Sequence, residues 1–223
     1  NHAEMMPLCH TETANPLDLF QIWLNLPAKN KMAEPHFAML WNQDIPIIKQ
    51  RDGAGHETTI KLVAGHYGET KAPKPPPKSW AAQAETQVGI WTIELAPHAS
   101  WTLPHTHEDS LRALYLVDGH AMNIAGQDLH QKIQVLLHPG AEVAIKNGDR
   151  VSRLLLLQGL PIKEPVVQHG PFVMNTREEI IEAFDDYRST QFGGWPWQGP
   201  APTHGESTKR FAKHPNNSKE EPI

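Results

Sequence analysis

Two residues at the start of the chain, His2 and Glu4, form an H-x-E pattern that could bind a metal ion. Residues i and i+2 of a β-strand point to the same side, so a strand here would aim an imidazole nitrogen and a carboxylate oxygen together into a barrel. Both atoms suit a divalent first-row metal, and iron(II) with open coordination positions is bound by such mixed sets. The alternative for so short a pattern is a polar chain end without a metal.

A second candidate is the H-x-H pair His105 and His107, which would aim two imidazoles one way from a strand. A metal site of this kind needs an acid a few residues further on, and Arg112 stands at that position as a permanent cation that would repel a metal. The third histidine expected after the next Pro-Gly turn is also missing, and Glu142 stands near that point. The alternative is a pair of partly exposed loop histidines.

Short β-strands are the elements that would position these residues. Twenty prolines and fifteen glycines interrupt the sequence at short intervals, which is typical of strands joined by turns. Apolar runs at about ten-residue spacing favour a β-sandwich or a closed barrel. The strands predicted on this basis are Phe20–Leu26, Asp44–Ile48, Thr58–Gly65, Val88–Leu95, Leu111–Val117, Met122–Gly126, Ile133–Leu137, Glu142–Ile145 and Arg153–Leu157.

One helix and one linker are predicted in this β-rich chain. The helix follows Thr176, whose hydroxyl forms a capping box with the Glu179 carboxylate, and apolar residues then recur at three- and four-residue spacing until Gly193 and Gly194. The linker is the segment 71–78, which is so rich in proline that it behaves as a stiff extended spacer. An ordered surface loop within one domain is the alternative for this segment.

Composition and charge narrow the possible functions. The net charge is -5 without a broad basic field, so neither nucleic acid nor anionic lipid is expected as a direct partner. The single cysteine, Cys9, excludes an internal disulfide and favours a reducing compartment, and no apolar run approaches the ~20 residues of a membrane span. We expect a cytoplasmic protein and a monomer, and the charge does not exclude a protein partner.

Several longer segments carry a family resemblance. The two most specific are Phe20–Lys29 and Gly170–Ile180, and His2–Met5, Met39–Trp41 and Trp101–Pro104 occur with them in the same order. On these segments the chain resembles the pirin family of bicupins over nearly its whole length, to about Trp197. The resemblance implies an all-β fold of two barrel or jelly-roll domains with a short C-terminal helix.

The same resemblance implies one mononuclear site for Fe²⁺, or another divalent first-row metal, in the N-terminal barrel. Family members bind this metal through three histidines and one glutamate, and His2 and Glu4 match the last two of these ligands. The first two ligands lie on an upstream H-x-H, to which no residue here corresponds. We therefore expect the chain to carry half of the site and an incomplete first barrel. The second barrel usually holds no metal, in agreement with Arg112, although His105 and His107 leave a secondary site open.

The expected domain organisation combines this resemblance with the linker. The predicted parts are the C-terminal portion of the N-terminal cupin barrel at 1–70, the Pro-rich linker at 71–78, the C-terminal cupin barrel at 79–175, the helix with a Trp-rich segment at 176–197 and a flexible tail at 198–223.

Two functions of different class are implied by the resemblance. Bacterial family members resemble quercetin (flavonol) 2,3-dioxygenases, in which a metal would lower the pKa of a substrate hydroxyl and Glu4 would accept its proton. Animal members act as non-enzymatic, redox-sensitive regulators that bind transcription factors. A bicupin scaffold with an unknown small ligand is a third reading. We favour the dioxygenase as a hypothesis for the full-length protein.

Overall fold

The computed structural model describes residues 2–198 and 208–222 and contains two compact units. The first, called the strand unit here, is the continuous segment Met32–Lys163. The second, called the helix unit, combines the residues up to Lys31 with those from Glu164 onward. None of the helices in the described residues is long and apolar enough to cross a membrane.

The strand unit consists of two antiparallel sheets and one hairpin. Its strands are β1 (Ile47–Arg51), β2 (Glu57–Ala64), β3 (His66–Tyr67), β4 (Thr70–Lys71), β5 (Gly89–Leu95), β6 (Ser100–Leu103), β7 (Leu111–Asp118), β8 (Met122–Ile124), β9 (Gln127–Leu129), β10 (Gln134–Leu136), β11 (Val143–Asn147) and β12 (Ser152–Gly159). The larger sheet has the order β1-β2-β5-β12-β7-β10, and the smaller sheet has the order β6-β11-β8-β9. Strands β3 and β4 form the hairpin. Short 3-10 helices occur at Asn42–Asp44, Trp80–Ala82 and Ala84–Thr86.

The two sheets share one hydrophobic core. Successive side chains of a strand point to opposite faces, and β2 and β5 accordingly alternate between buried and partly exposed residues. Ile60 and Ile93 enter the core from the larger sheet, while Trp101 and Ile145 enter it from the smaller sheet. The prediction of an all-β fold is therefore confirmed. Every strand predicted from Thr58 onward is present, with its ends shifted by a few residues.

The Pro-rich segment 71–78 lies inside the strand unit. Strand β2 precedes it and β5 follows it, yet these strands pair antiparallel, with Ile60 opposite Ile93 and Thr58 opposite Leu95. The connection between these two strands of one sheet thus consists of the hairpin, the Pro-rich segment and two 3-10 helices. The predicted boundary between residues 1–70 and 79–175 falls within this unit, and the assignment of 1–70 to a separate barrel stays a prediction.

A buried amide, that of Asn147, ties together three chain segments at one edge of the core. Its Nδ2 donates to the carbonyl oxygens of Leu95 (3.1 Å), Ala96 (2.9 Å) and Arg150 (2.7 Å). Its Oδ1 accepts a hydrogen bond of 2.6 Å from the buried hydroxyl of Ser152. Buried polar groups stabilise a fold only when they are paired, and here one side chain satisfies partners on β5, β12 and the turn between β11 and β12.

The carboxylate of Asp52 organises the turn between β1 and β2. Its Oδ1 accepts from the backbone N–H groups of Ala54 and His56, both at 2.9 Å, and its Oδ2 accepts from the N–H of Ser100 at 2.9 Å. The hydrogen bond from Ser100 is the largest cause that lowers the pKa of Asp52 well below its ordinary value, because these donors favour the ionised form. The ionised carboxylate therefore connects the turn to the start of β6.

The helix unit contains α1 (Ala28–Lys31), β13 (Val167–His169), β14 (Phe172–Met174), α2 (Arg177–Thr190), a 3-10 helix at Gln191–Gly193, β15 (Ala212–Lys213) and β16 (Lys219–Glu220). The capping box of α2 is confirmed, since Thr176 Oγ1 accepts from the Glu179 N–H at 3.2 Å and the Glu179 carboxylate accepts from the Thr176 N–H at 2.9 Å. Helix α2 ends at Thr190, before the glycines, because Gln191 adopts the left-handed conformation. Within the predicted tail, β15 and β16 pair, while residues 199–207 lie outside the described residues.

The predicted strand Phe20–Leu26 is wrong. These residues adopt no regular secondary structure, and Pro27 leads into the four-residue helix α1. A strand needs a paired neighbour, and no other strand of the described residues pairs with this segment. Phe20 and Trp23 are instead exposed. The partial apolar alternation of this segment indicated a strand because local pattern cannot show whether a partner exists.

Candidate functional site

The structure brings His2 and Glu4 close together at the start of the helix unit. The distance from His2 Nε2 to Glu4 Oε1 is 3.6 Å, and the two side chains are 73% and 63% exposed. They lie in a segment without regular secondary structure, so neither a strand nor a barrel interior positions them here. An imidazole and a carboxylate at this separation could contribute two ligands to one metal ion.

A complete metal site is not formed by the described residues. No group of three or more His, Cys, Asp or Glu side chains within 2–198 and 208–222 has the arrangement of a metal site. A catalytic metal is normally held by at least three protein ligands, so His2 and Glu4 alone do not fit a functional metal. Their assignment as metal ligands, and that of Glu4 as a catalytic residue, stays a prediction.

The H-x-H pair lies in a loop between β6 and β7. His105 and His107 are both exposed, whereas Thr106 between them is partly buried. His107 Nδ1 accepts a hydrogen bond of 3.2 Å from the backbone N–H of Asp109, a local turn contact. Because the imidazoles face away from the core, this geometry agrees with the alternative of partly exposed loop histidines. Arg112 is the member of this sequence region that enters the interior.

Arg112 is almost completely buried on the inner face of β7, with only 3% of its surface exposed. Its Nη2 donates to the carbonyl oxygen of Pro104 at 2.6 Å, but Nε and Nη1 have no hydrogen-bond partner in the described part of the chain. Burial lowers the pKa of the guanidinium from its ordinary value to about 10, because desolvation disfavours the charged form. Arg112, which was predicted to repel a metal, is thus a cation in the interior of the strand unit.

Gln158 of β12 lies directly opposite Arg112 in the sheet. Its Nε2 donates to Thr106 Oγ1 at 3.4 Å, and its buried Oε1 has no partner among the described residues. Ser110, two residues before Arg112, also has a buried hydroxyl without a partner there. We call Thr106, Ser110, Arg112 and Gln158 the Arg112 cluster. Gln158 was not predicted as a site residue. The only indication of it in the sequence is that a polar residue follows the apolar run of β12.

Comparison with known proteins places this fold in a class. Residues 90–193 match the family model described as the pirin C-terminal cupin domain. A crystal structure of quercetin 2,3-dioxygenase from Acinetobacter baumannii is similar with a TM-score of 0.62 and 29% sequence identity, over 76% of this chain and 55% of that one. The two antiparallel sheets around one core, together with these matches, define a cupin protein.

Curated relatives give the particular family. A Pseudomonas aeruginosa protein named "Putative quercetin 2,3-dioxygenase" is 30% identical over 186 residues, and human pirin is 32% identical over 197 residues. These alignments include 81% and 86% of this chain. The chain belongs to the pirin family. It spans 58% and 61% of the length of these two relatives.

Proposed function

We propose that the protein containing this chain is a metal-dependent pirin that acts as a flavonol 2,3-dioxygenase, with quercetin as the model substrate. The supporting observation is the similarity of this chain to proteins that bear the name quercetin 2,3-dioxygenase, among both the curated relatives and the solved structures. The proposal concerns a longer protein, because the chain spans only part of those relatives.

The proposed metal ligands of this chain are His2 and Glu4, which lie 3.6 Å apart. Fe²⁺ is the proposed metal, and other divalent first-row ions accept the same nitrogen and oxygen donors. Two ligands do not make a complete site, so the remaining donors would come from polypeptide outside this chain. The exposure of both side chains is compatible with this assignment, because they are accessible to an additional segment.

The proposed catalytic role of Glu4 is to accept a proton from the substrate hydroxyl. A carboxylate can serve as a general base when it lies within hydrogen-bond reach of the proton that it removes. In the described structure Glu4 forms no backbone hydrogen bond, and its carboxylate lies 3.6 Å from the His2 imidazole. Its carboxylate is therefore available to a ligand that binds beside it.

The direct test uses the longest natural protein that contains this chain. It is purified without metal and loaded with Fe²⁺, and bound iron and oxygen consumption with quercetin are both measured. We expect one iron per chain and quercetin-dependent oxygen uptake. Stoichiometric iron without oxygen uptake would refute the dioxygenase and favour the redox-dependent regulator. Failure to bind any divalent metal would refute the metal centre itself.

A Glu4→Gln variant separates the two proposed roles of Glu4. The amide keeps the size and one oxygen ligand but cannot accept a proton at neutral pH. We expect turnover to fall by about 10²-fold or more while iron binding falls less, in line with the usual contribution of a general base. The chain supplies a matched control in Glu12→Gln, because His10 and Glu12 repeat the same H-x-E spacing eight residues further on. A Glu4→Gln protein with full activity would remove the base role.

A further inference from the structure

One end of the inner face of the larger sheet is polar, and the rows next to this end are apolar. Residues paired across antiparallel strands point to the same face, so Arg112 on β7 and Gln158 on β12 form one row. The next rows inward, Leu114 with Leu156 and Leu116 with Leu154, are apolar. On the other side of Gln158 stands Gly89, where an added Cβ would lie 2.9 Å from Gln158 Cγ. The sheet thus places a cation and an amide next to each other, beside two rows of apolar side chains.

The Arg112 cluster contains an excess of unsatisfied donors. Arg112 carries one N–H on Nε and two on Nη1, and neither nitrogen has an acceptor in the described part of the chain. The Ser110 hydroxyl and the Trp91 Nε1–H are also buried donors without a partner there. Buried donors are normally paired, and each exception requires an explanation. Two of the unpaired atoms belong to Arg112, one to Ser110 two residues before it, and one, the acceptor Oε1, to Gln158 opposite it in the sheet.

The charge of Arg112 also lacks a counterion among the described residues. No carboxylate there forms an ion pair with the guanidinium, and burial lowers its pKa. The polar loop next to it contributes a neutral carbonyl, from Pro104, and a neutral hydroxyl, from Thr106, which contacts Gln158. A buried charge is strongly disfavoured unless it is paired and hydrogen-bonded. An acceptor with one negative charge would satisfy both requirements together.

We propose that the Arg112 cluster binds a small monovalent oxyanion of the carboxylate class inside the strand unit. The guanidinium is the residue type best suited to carboxylate oxygens, because its planar N–H groups fit them geometrically. The Ser110 hydroxyl is a second donor, and the Gln158 amide donates to the Thr106 hydroxyl on the polar side of the site. The next pair along the same face, Leu114 and Leu156, is buried and apolar, so an apolar row borders the site on one side. This site is independent of His2 and Glu4.

The test measures the thermal unfolding of the 223-residue chain in sodium formate and in sodium chloride at equal ionic strength. A ligand that binds only the folded state raises Tm in a saturable way, by about 5–10 °C at 100 times Kd for a chain of this size. We expect formate to raise Tm above its value in chloride, and we expect the neutral analogue formamide to have no such effect. The formate effect should disappear in Arg112→Met and persist in Arg150→Met, which removes an exposed arginine of the same unit.

A second measurement keeps the proposal testable if Arg112→Met does not fold. Formate is titrated into the ¹⁵N-labelled wild-type chain while the arginine Nε–H resonances are recorded. We expect a single arginine resonance to shift saturably, with the same midpoint as the Tm effect. The proposal is overturned if no arginine resonance responds, if chloride acts as strongly as formate, or if folded Arg112→Met responds like the wild type.

Discussion

Replacement of the buried residue Asn147 by alanine should destabilise the strand unit more than the replacement of any single exposed residue. The Asn147 side chain has four hydrogen-bond contacts of 2.6–3.1 Å: the two hydrogens of Nδ2 are shared among three backbone carbonyls, and Oδ1 accepts from Ser152. A neutral intramolecular hydrogen bond contributes about 1 kcal/mol net, and a donor left buried without a partner costs about 1–3 kcal/mol. The alanine variant loses all four bonds and leaves the Ser152 hydroxyl, at 1% exposure, without its acceptor.

These contributions are not fully additive, because water can reach the carbonyl of the exposed residue Arg150. We therefore expect Asn147→Ala to lower the free energy of unfolding by about 3 kcal/mol, which corresponds to about 6–12 °C in Tm for a domain of this size. The assay is urea denaturation followed by tryptophan fluorescence, since Trp91 and Trp101 are buried in the same core and report its opening.

A double-mutant cycle makes this prediction specific. Ser152→Ala alone removes one bond, and the pair should show a coupling energy of about 1 kcal/mol because the two side chains share that bond. The control is Asn123→Ala, whose amide bonds Asp128 and the Gly126 N–H at the surface and should cost less than about 1 kcal/mol. The reasoning is refuted if Asn147→Ala costs no more than Asn123→Ala, or if Asn147 and Ser152 show no coupling.

Three further predictions concern other parts of the chain. The fold lowers the pKa of Asp52, so the ionised Asp52 carboxylate stabilises the native state above the pKa of an unfolded aspartate, about 3.9. This stabilisation is lost as the pH falls below about 3.9. Tm should therefore decrease more steeply between pH 5 and pH 3 in the wild type than in Asp52→Asn. Thr176→Ala should destabilise helix α2 by about 1 kcal/mol through loss of its cap, as measured by circular dichroism. Chymotrypsin should cleave at Trp23, which is 60% exposed, well before it cleaves at Trp91, which is 3% exposed.

Each of these predictions has a matched control. Asp149→Asn changes an exposed aspartate of the same unit, and an identical pH profile for both aspartate variants would contradict the assigned role of Asp52. Thr176→Ser retains a capping hydroxyl and should restore most of the lost stability. For proteolysis, cleavage sites are located by mass spectrometry at early times, and first cleavage at Trp91 would contradict the described burial.

The residues of the two candidate sites show which features of a site can be predicted from the sequence. The H-x-E pattern identified His2 and Glu4, and their proximity follows from a separation of two residues in any extended conformation. The sequence also singled out Arg112 from its place after His105 and His107, but only as a residue that would repel a metal. That it is buried beside Gln158 depends on the pairing of β7 with β12, which no local pattern contains.

Local patterns in the sequence by themselves determined most strands of the larger sheet and the capped helix α2, because burial alternation and capping depend on residues within a few positions of each other. Tertiary structure alone decided that Phe20–Leu26 has no strand partner, that β2 pairs with β5 across the Pro-rich segment, and that the Arg112 cluster assembles. The physical reason is that these features depend on which distant strands pair. Sheet order is set by the burial of the whole core, and short-range periodicity carries no information about it.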